Sequence, residues 1–203
     1  MVFAASSFAV AACGGGGGTT TDTPDAVADG ADTLDLTGKS VYHLTLLPKD
    51  MDPITLDRDL TGREGTYFAF GSTHIAPAVS LAISDNVVAP RTIYFTLNFG
   101  IVVPSDAYPI DVTGPGTYPF TAATIPAPPE VELTISGLEY RSHIAGSTGS
   151  IVITAWSTTP GDVVSGTVSG HVLQDTTLVD KRWVDVDGWF HFVLPPTENG
   201  QPQ

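Results

Sequence analysis

The side chains on which chemistry could rest are few and scattered. Five histidines, His43, His74, His143, His171 and His191, show no H-x-H or H-E-x-x-H spacing, so no local metal site can be read from them. One pair merits attention. If the segments 163–172 and 188–194 are neighbouring antiparallel strands, His171 and His191 share an outer face at a cross-strand distance of about 5 Å. Two ligands make a weak metal site, and the plainer reading is two exposed histidines on a solvated sheet face. Asp50, Asp52, Asp57 and Asp59 form an acidic loop around Met51 and Pro53 that offers oxygens to calcium. It lacks the D-x-[DN]-x-[DN]-G order and the distant bidentate glutamate, and Arg58 sits inside it, so Asp50 and Asp52 are weak candidates for calcium. Asp187-Gly188 reads first as a turn.

Catalytic signatures are missing from the text of the chain. There is no G-x-S-x-G and no S-x-x-K, and Gly114-Pro115-Gly116 lacks the lysine and the third glycine of a phosphate loop. Glu130 and Glu132 are the nearest thing to a carboxylate pair for glycoside hydrolysis, but they sit on one strand edge beside Pro128-Pro129 and read as solvated. Aromatic residues give a better clue. Trp183 and Trp189 flank 184–188 beside Lys181 and Arg182, and Tyr140 with Arg141 stands in another loop. Aromatics beside Arg and Asp can stack a sugar ring or anchor a protein partner; the plainer reading is that they cap the open ends of a sandwich.

The elements that must position these residues are strands. Sixteen prolines and twenty-one glycines break the chain too often for long helices, and Thr, Ser, Val and Ile are abundant. After Lys39 the text becomes short period-two runs. In 92–99 Ile93, Phe95, Leu97 and Phe99 face one way and Tyr94, Thr96 and Asn98 the other, the pattern of a half-buried strand. Val131, Leu133 and Ile135 alternate in the same manner. Segments 149–156 and 163–172 read as a hairpin across Pro160-Gly161. Further strands are expected at 41–47, 66–70, 78–83, 116–120 and 188–194. Such strands must bury their apolar faces against one another, which predicts an all-β, antiparallel β-sandwich of about 8–10 strands over residues 39–196, with a closed barrel as the alternative.

The first 38 residues are of another kind. A short apolar run, 3–12, ends in Val10-Ala11-Ala12-Cys13, and Cys13 is followed by five glycines and a Thr/Asp-rich stretch. This resembles the lipobox of bacterial lipoproteins. The resemblance implies a signal peptide over 1–12, lipidation of Cys13 as the new N-terminus, and a disordered tether over 13–38 whose mean reach is on the order of 25–30 Å. No Lys or Arg precedes Lys39, so the leader is expected to be truncated at its start. Cys13 is the only cysteine, and lipidation explains an otherwise unpaired thiol. Gly14 after Cys13 is compatible with outer-membrane retention. Residues 197–203 read as a disordered tail.

A second resemblance covers the last ninety residues or so. Gly114-Pro115-Gly116-Thr117-Tyr118, Gly149-Ser150-Ile151-Val152-Ile153-Thr154, Val164-Ser165-Gly166-Thr167-Val168-Ser169 and Gly188-Trp189-Phe190 are similar in order to strands of β-sandwich domains on other bacterial lipoproteins. It implies a sandwich on a lipid tether and no particular activity.

Charge narrows the partners. Lys and Arg number 8 against 22 Asp and Glu, a formal net charge of -14, which repels phosphate backbones and rules out a nucleic-acid partner. The sequence therefore predicts a lipid-anchored protein of the bacterial cell envelope, held at the membrane by its N-terminal lipid. Its role is read as a non-enzymatic binding or structural module for an envelope protein or polysaccharide, with no cofactor beyond the calcium just weighed. The alternative is an envelope hydrolase, polysaccharide- or ester-directed, whose site is assembled only in three dimensions.

Overall fold

A computed structural model of the chain describes residues 35–63, 68–72, 79–87, 91–103, 111–122, 129–195, 197–198 and 201–202. Cys13, the leader and the tether through residue 34 lie outside them, as do His74 and the start of the strand expected at 66–70. The described residues form strands and no helix. In chain order these are β1 (Val41–Pro48), β2 (Ile54–Asp59), β3 (Phe68–Ser72), β4 (Val79–Val87), β5 (Ile93–Val103), β6 (Gly116–Pro119), β7 (Glu130–Ile135), β8 (Leu138–Arg141), β9 (Thr148–Ala155), β10 (Val163–Gln174), β11 (Trp183–Val193), β12 (Thr197–Glu198) and β13 (Gln201–Pro202).

Eleven of them make one antiparallel sheet. Its spine runs β2-β1-β11-β10 and forks at β10. One edge of β10 carries β9 along Ser165–His171 and β8 at Leu173 and Gln174. Beyond the fork one branch continues from β9 to β6 and the other runs β8-β7-β5-β4-β3. The all-β, antiparallel fold is as the alternation predicts, and its two layers are limbs of a single sheet curled into a half-barrel. The strands added to those expected are β2 and β8. The segment 50–59, read as an acidic loop, is therefore largely strand, because Ile54, Leu56 and Arg58 alternate inward and pair with β1. Residues 197–198 and 201–202 pair in a short ladder of their own.

Curling is a property of particular residues. Gly188 lies mid-strand in β11 between Leu44 of β1 and Val168 of β10, and a Cβ there would come within 2.1 Å of the His43 carbonyl oxygen. The Asp-Gly read as a turn thus lies inside a long strand, where only glycine lets two backbones come this close. Gly149 and Gly170 face each other across β9 and β10, and the Phe120 ring lies over the pair in the space their side chains would fill.

The limbs meet over an aromatic core. Tyr42 of β1 packs on Phe95 of β5 with ring centroids 5.2 Å apart, and Phe190 of β11 on Phe99 of β5 at 6.0 Å. Leu44, Leu46, Leu97, Leu133, Val168 and Phe192 fill the remaining space fully buried, each contributing about 1.5–3 kcal/mol by leaving water. One polar clamp crosses this interface. Asp85 of β4 is almost wholly buried and accepts from Tyr42 Oη at 2.8 Å and from Arg58 Nε at 2.8 Å, joining β4 to both β1 and β2. Burial alone would raise the Asp85 carboxyl, but the hydrogen bonds from Arg58 and Tyr42 outweigh it and hold the pKa below the ordinary 3.8. Burial beside that carboxylate pushes the Tyr42 hydroxyl far up.

Candidate functional site

The back of the curled sheet, away from the core, is where unspent chemistry collects. Along β11 the even residues Val184, Val186, Phe190 and Phe192 point inward, so Trp183, Asp185, Asp187, Trp189 and His191 point outward. Neighbouring strands obey the same parity, and register aligns their outward residues in rows that run across the strands.

Three rows matter. The upper one carries Asp57, His43, Trp189 and Thr167 from β2, β1, β11 and β10. His43 Nδ1 lies 2.5 Å from Asp57 Oδ1, and its ring stacks beside Trp189 at 15° between planes. The lower one carries Leu47, Asp185 and His171 from β1, β11 and β10. His171 Nδ1 lies 2.7 Å from Asp185 Oδ1, and the ring sits 4.9 Å from Trp183. Between them runs the third row, Thr55, Thr45, Asp187, Ser169 and Ser150, from five successive strands, β2, β1, β11, β10 and β9. None of its five side chains makes a hydrogen bond among the described residues. An open depression of about 350 Å³ lies over the middle and lower rows, lined by Thr45, Leu47, Ser169, His171, Asp185 and Asp187.

The residues expected to carry function separate cleanly here. Trp183 and Trp189 are both on this face, six residues apart on one strand, or about 20 Å. They belong to a sheet surface and do not cap an open end. Tyr140 and Arg141 are not with them and are not in a loop. They are the last two residues of β8, with Tyr140 wholly buried and Arg141 outside, ringed by Glu132, Glu139 and Asp175. Burial raises the Tyr140 hydroxyl, and that oxygen has no partner among the described residues, so the ring serves the core and cannot stack on a ligand.

His171 and His191 do share the outer face of paired strands, but their register separates them. His171 lies opposite Asp185 and His191 opposite Ser165, six positions apart, which is about 20 Å and no shared metal site. Burial lowers the His191 pKa, opposed by a backbone hydrogen bond to Leu36. Asp50 and Asp52 sit in the turn before β2, while Asp57 is taken by His43 and Asp59 accepts from the Thr61 amide. The four aspartates therefore do not converge as a calcium loop. Among the described residues no group of three or more His, Cys, Asp or Glu is placed to hold a metal. Glu130 is buried under the 142–147 turn, 2.6 Å from His143 Nδ1. Burial raises its pKa, Glu132 nearby adds to the rise, and the His143 bond opposes it.

Thr45 and Ser169 were missed by the reading of the text, and His43, Asp57 and Asp187 had drawn notice only as a scattered histidine, a loop residue and a turn residue. The available signal was the parity of 41–47, which puts His43, Thr45 and Leu47 on the face opposite Tyr42, Leu44 and Leu46.

Fold and site together define an all-β protein with a polar, aromatic-flanked outer sheet face. No protein-family model, no curated protein and no solved structure matches the chain.

Proposed function

We propose that this chain is a lipid-anchored protein of the bacterial cell envelope, at the outer membrane, and that it works as a non-enzymatic binding module through the outer face of β1, β11 and β10. The anchoring rests on the lipobox-like Val10-Ala11-Ala12-Cys13 and the polyglycine that follows it. The observation that carries the binding role is the open depression over Thr45, Ser169, Asp185 and Asp187, whose polar groups are largely free to meet a ligand. Its volume lies at the lower end of the range for ligand sites. A glycoside hydrolase of the usual kind needs two carboxylates on opposite sides of the scissile bond. Here Asp185 and Asp187 stand two residues apart on one strand, about 7 Å, and face the same way. That arrangement favours binding over cleavage.

Two measurements test the reading separately. Expressed in a Gram-negative host from a frame that includes a complete leader, the protein should incorporate labelled palmitate and fractionate with membranes, and Cys13→Ala should abolish both. Unchanged labelling in that variant would refute the anchor. A photo-cross-linking residue placed at Ser169 in intact cells should yield one defined adduct, and Asp187→Ala should diminish it. Absence of any adduct would refute the binding face.

A further inference from the structure

We infer that the ligand of this face is a linear, uncharged polysaccharide lying across the strands, along the row Thr55, Thr45, Asp187, Ser169 and Ser150. The inference rests on the reading of that face as a binding surface and adds the chemical class of what it binds. Three observations converge on it.

The first is the row's period. Five polar side chains come from five adjacent strands, so they repeat every 4.8 Å or so over about 19 Å. That spacing is comparable to the length of one ring in a linear hexose or pentose chain, so a glycan laid across the strands meets a fresh polar group at each unit. Four of the five are hydroxyls, which both donate and accept, and the fifth is a carboxylate, a strong acceptor; sugar hydroxyls complement both. Because none is engaged with the protein among the described residues, binding breaks no internal hydrogen bond.

The second is the flanking pattern. Trp189 beside His43 lies on the upper border, and Trp183 beside His171 lies below the depression. Flat aromatic faces next to a polar row suit ligands whose rings present C–H groups on one side and hydroxyls at the edge. A peptide strand would pair along a sheet edge, and this row runs across the face of a sheet, perpendicular to its strands.

The third is charge. Asp57, Asp185 and Asp187 stand on this face of a chain whose formal net charge is -14, so polyanionic glycans are repelled and neutral ones are not.

The test is calorimetric titration of the full chain with neutral linear oligosaccharides of increasing length, gluco-, xylo-, manno- and N-acetylchito-oligosaccharides, and with polygalacturonate as the anionic comparator. At least one neutral series should bind saturably, with affinity rising to about four or five units, the width of the row, and then levelling off. The double variant Thr45→Val/Ser169→Ala should weaken that binding about tenfold, or ~1.4 kcal/mol. Both substitutions are on the surface and should leave the melting temperature unchanged. Tyr94→Ala, an exposed aromatic on β5, should leave binding as it was. The inference is overturned if no neutral series binds, if affinity ignores chain length, if the double variant binds normally, or if polygalacturonate binds best. A protein adduct from the Ser169 cross-linker would also overturn it while leaving the face as a binding surface; no adduct at all would remove the surface itself.

Discussion

Replacing Asp85 by alanine should loosen the half-barrel at a place where a charge pair crosses its interior. The carboxylate is 5% exposed and its Arg58 partner 28%, and Tyr42 donates to the same oxygen from a ring that is 2% exposed. Breaking a buried pair by removing one partner costs about 3–5 kcal/mol, because the other is left buried and uncompensated. Arg58 reaches some water, so the lower end applies, about 3 kcal/mol. In a domain of this size that lowers the melting temperature by about 6–12 °C. Removing the cation instead, by Arg58→Met, strands the better-buried carboxylate and should cost about 4 kcal/mol. The double variant Arg58→Met/Asp85→Leu should lie closer to wild type than either single change, since two apolar groups need no partner. Urea unfolding at pH 7, followed by tryptophan fluorescence and circular dichroism, measures all of them. The pH dependence has a definite sign. Asp85 ionises more easily folded than unfolded, so its stabilisation is present above the unfolded pKa near 3.8 and is lost as pH falls below that through the folded value. Asp85→Asn should flatten the acid limb of the stability curve in that window. A cost below about 1 kcal/mol for Asp85→Ala, or strict additivity in the double variant, would refute the clamp.

Glu130 should behave in the opposite sense. Its folded pKa is raised above the ordinary 4.5, so the folded state gives up stability as pH rises from 4.5 through the folded value, and Glu130→Gln should remove that decline. Melting temperatures between pH 4 and 7 check this, and an unchanged slope in the variant would contradict it. Gly188→Ala should cost about 3 kcal/mol, because the added carbon meets the His43 carbonyl oxygen at 2.1 Å and backbone cannot move aside as a side chain can. Gly114→Ala, with nothing within 4 Å of its added carbon, is the matched control and should melt with the wild type.

The strands that could be read from the text are those whose polar positions stay outside. β5, β7, β9 and β10 alternate cleanly, and Pro160-Gly161 marks the turn between the last two. β2 was hidden by Arg58, a charge at an inward position whose partner, Asp85, is distant in sequence and announces nothing. β8 is four residues long, too short for alternation to register, and it buries Tyr140 while exposing Arg141. Of the site, the outward faces of Trp189, His171 and His191 follow from parity. Which residue stands opposite which does not. Alternation fixes a residue's face but leaves its position along the neighbour open, so His171 met Asp185 where His191 had been expected. The row from Thr55 to Ser150 exists only through four such registers at once.

The placement of β1 between β2 and β11 has a consequence for how the molecule is made. Strands β3, β4, β5, β7 and β8 pair in chain order, each with the next of the series, and can zip up as they leave the ribosome. β1 can close only a hairpin with β2, for its other edge waits for β11, where Val41 pairs with His191 far along the chain. Contacts of such long sequence separation form late. β1 is thus among the last of the described strands to be locked at both edges, although it precedes them in the chain.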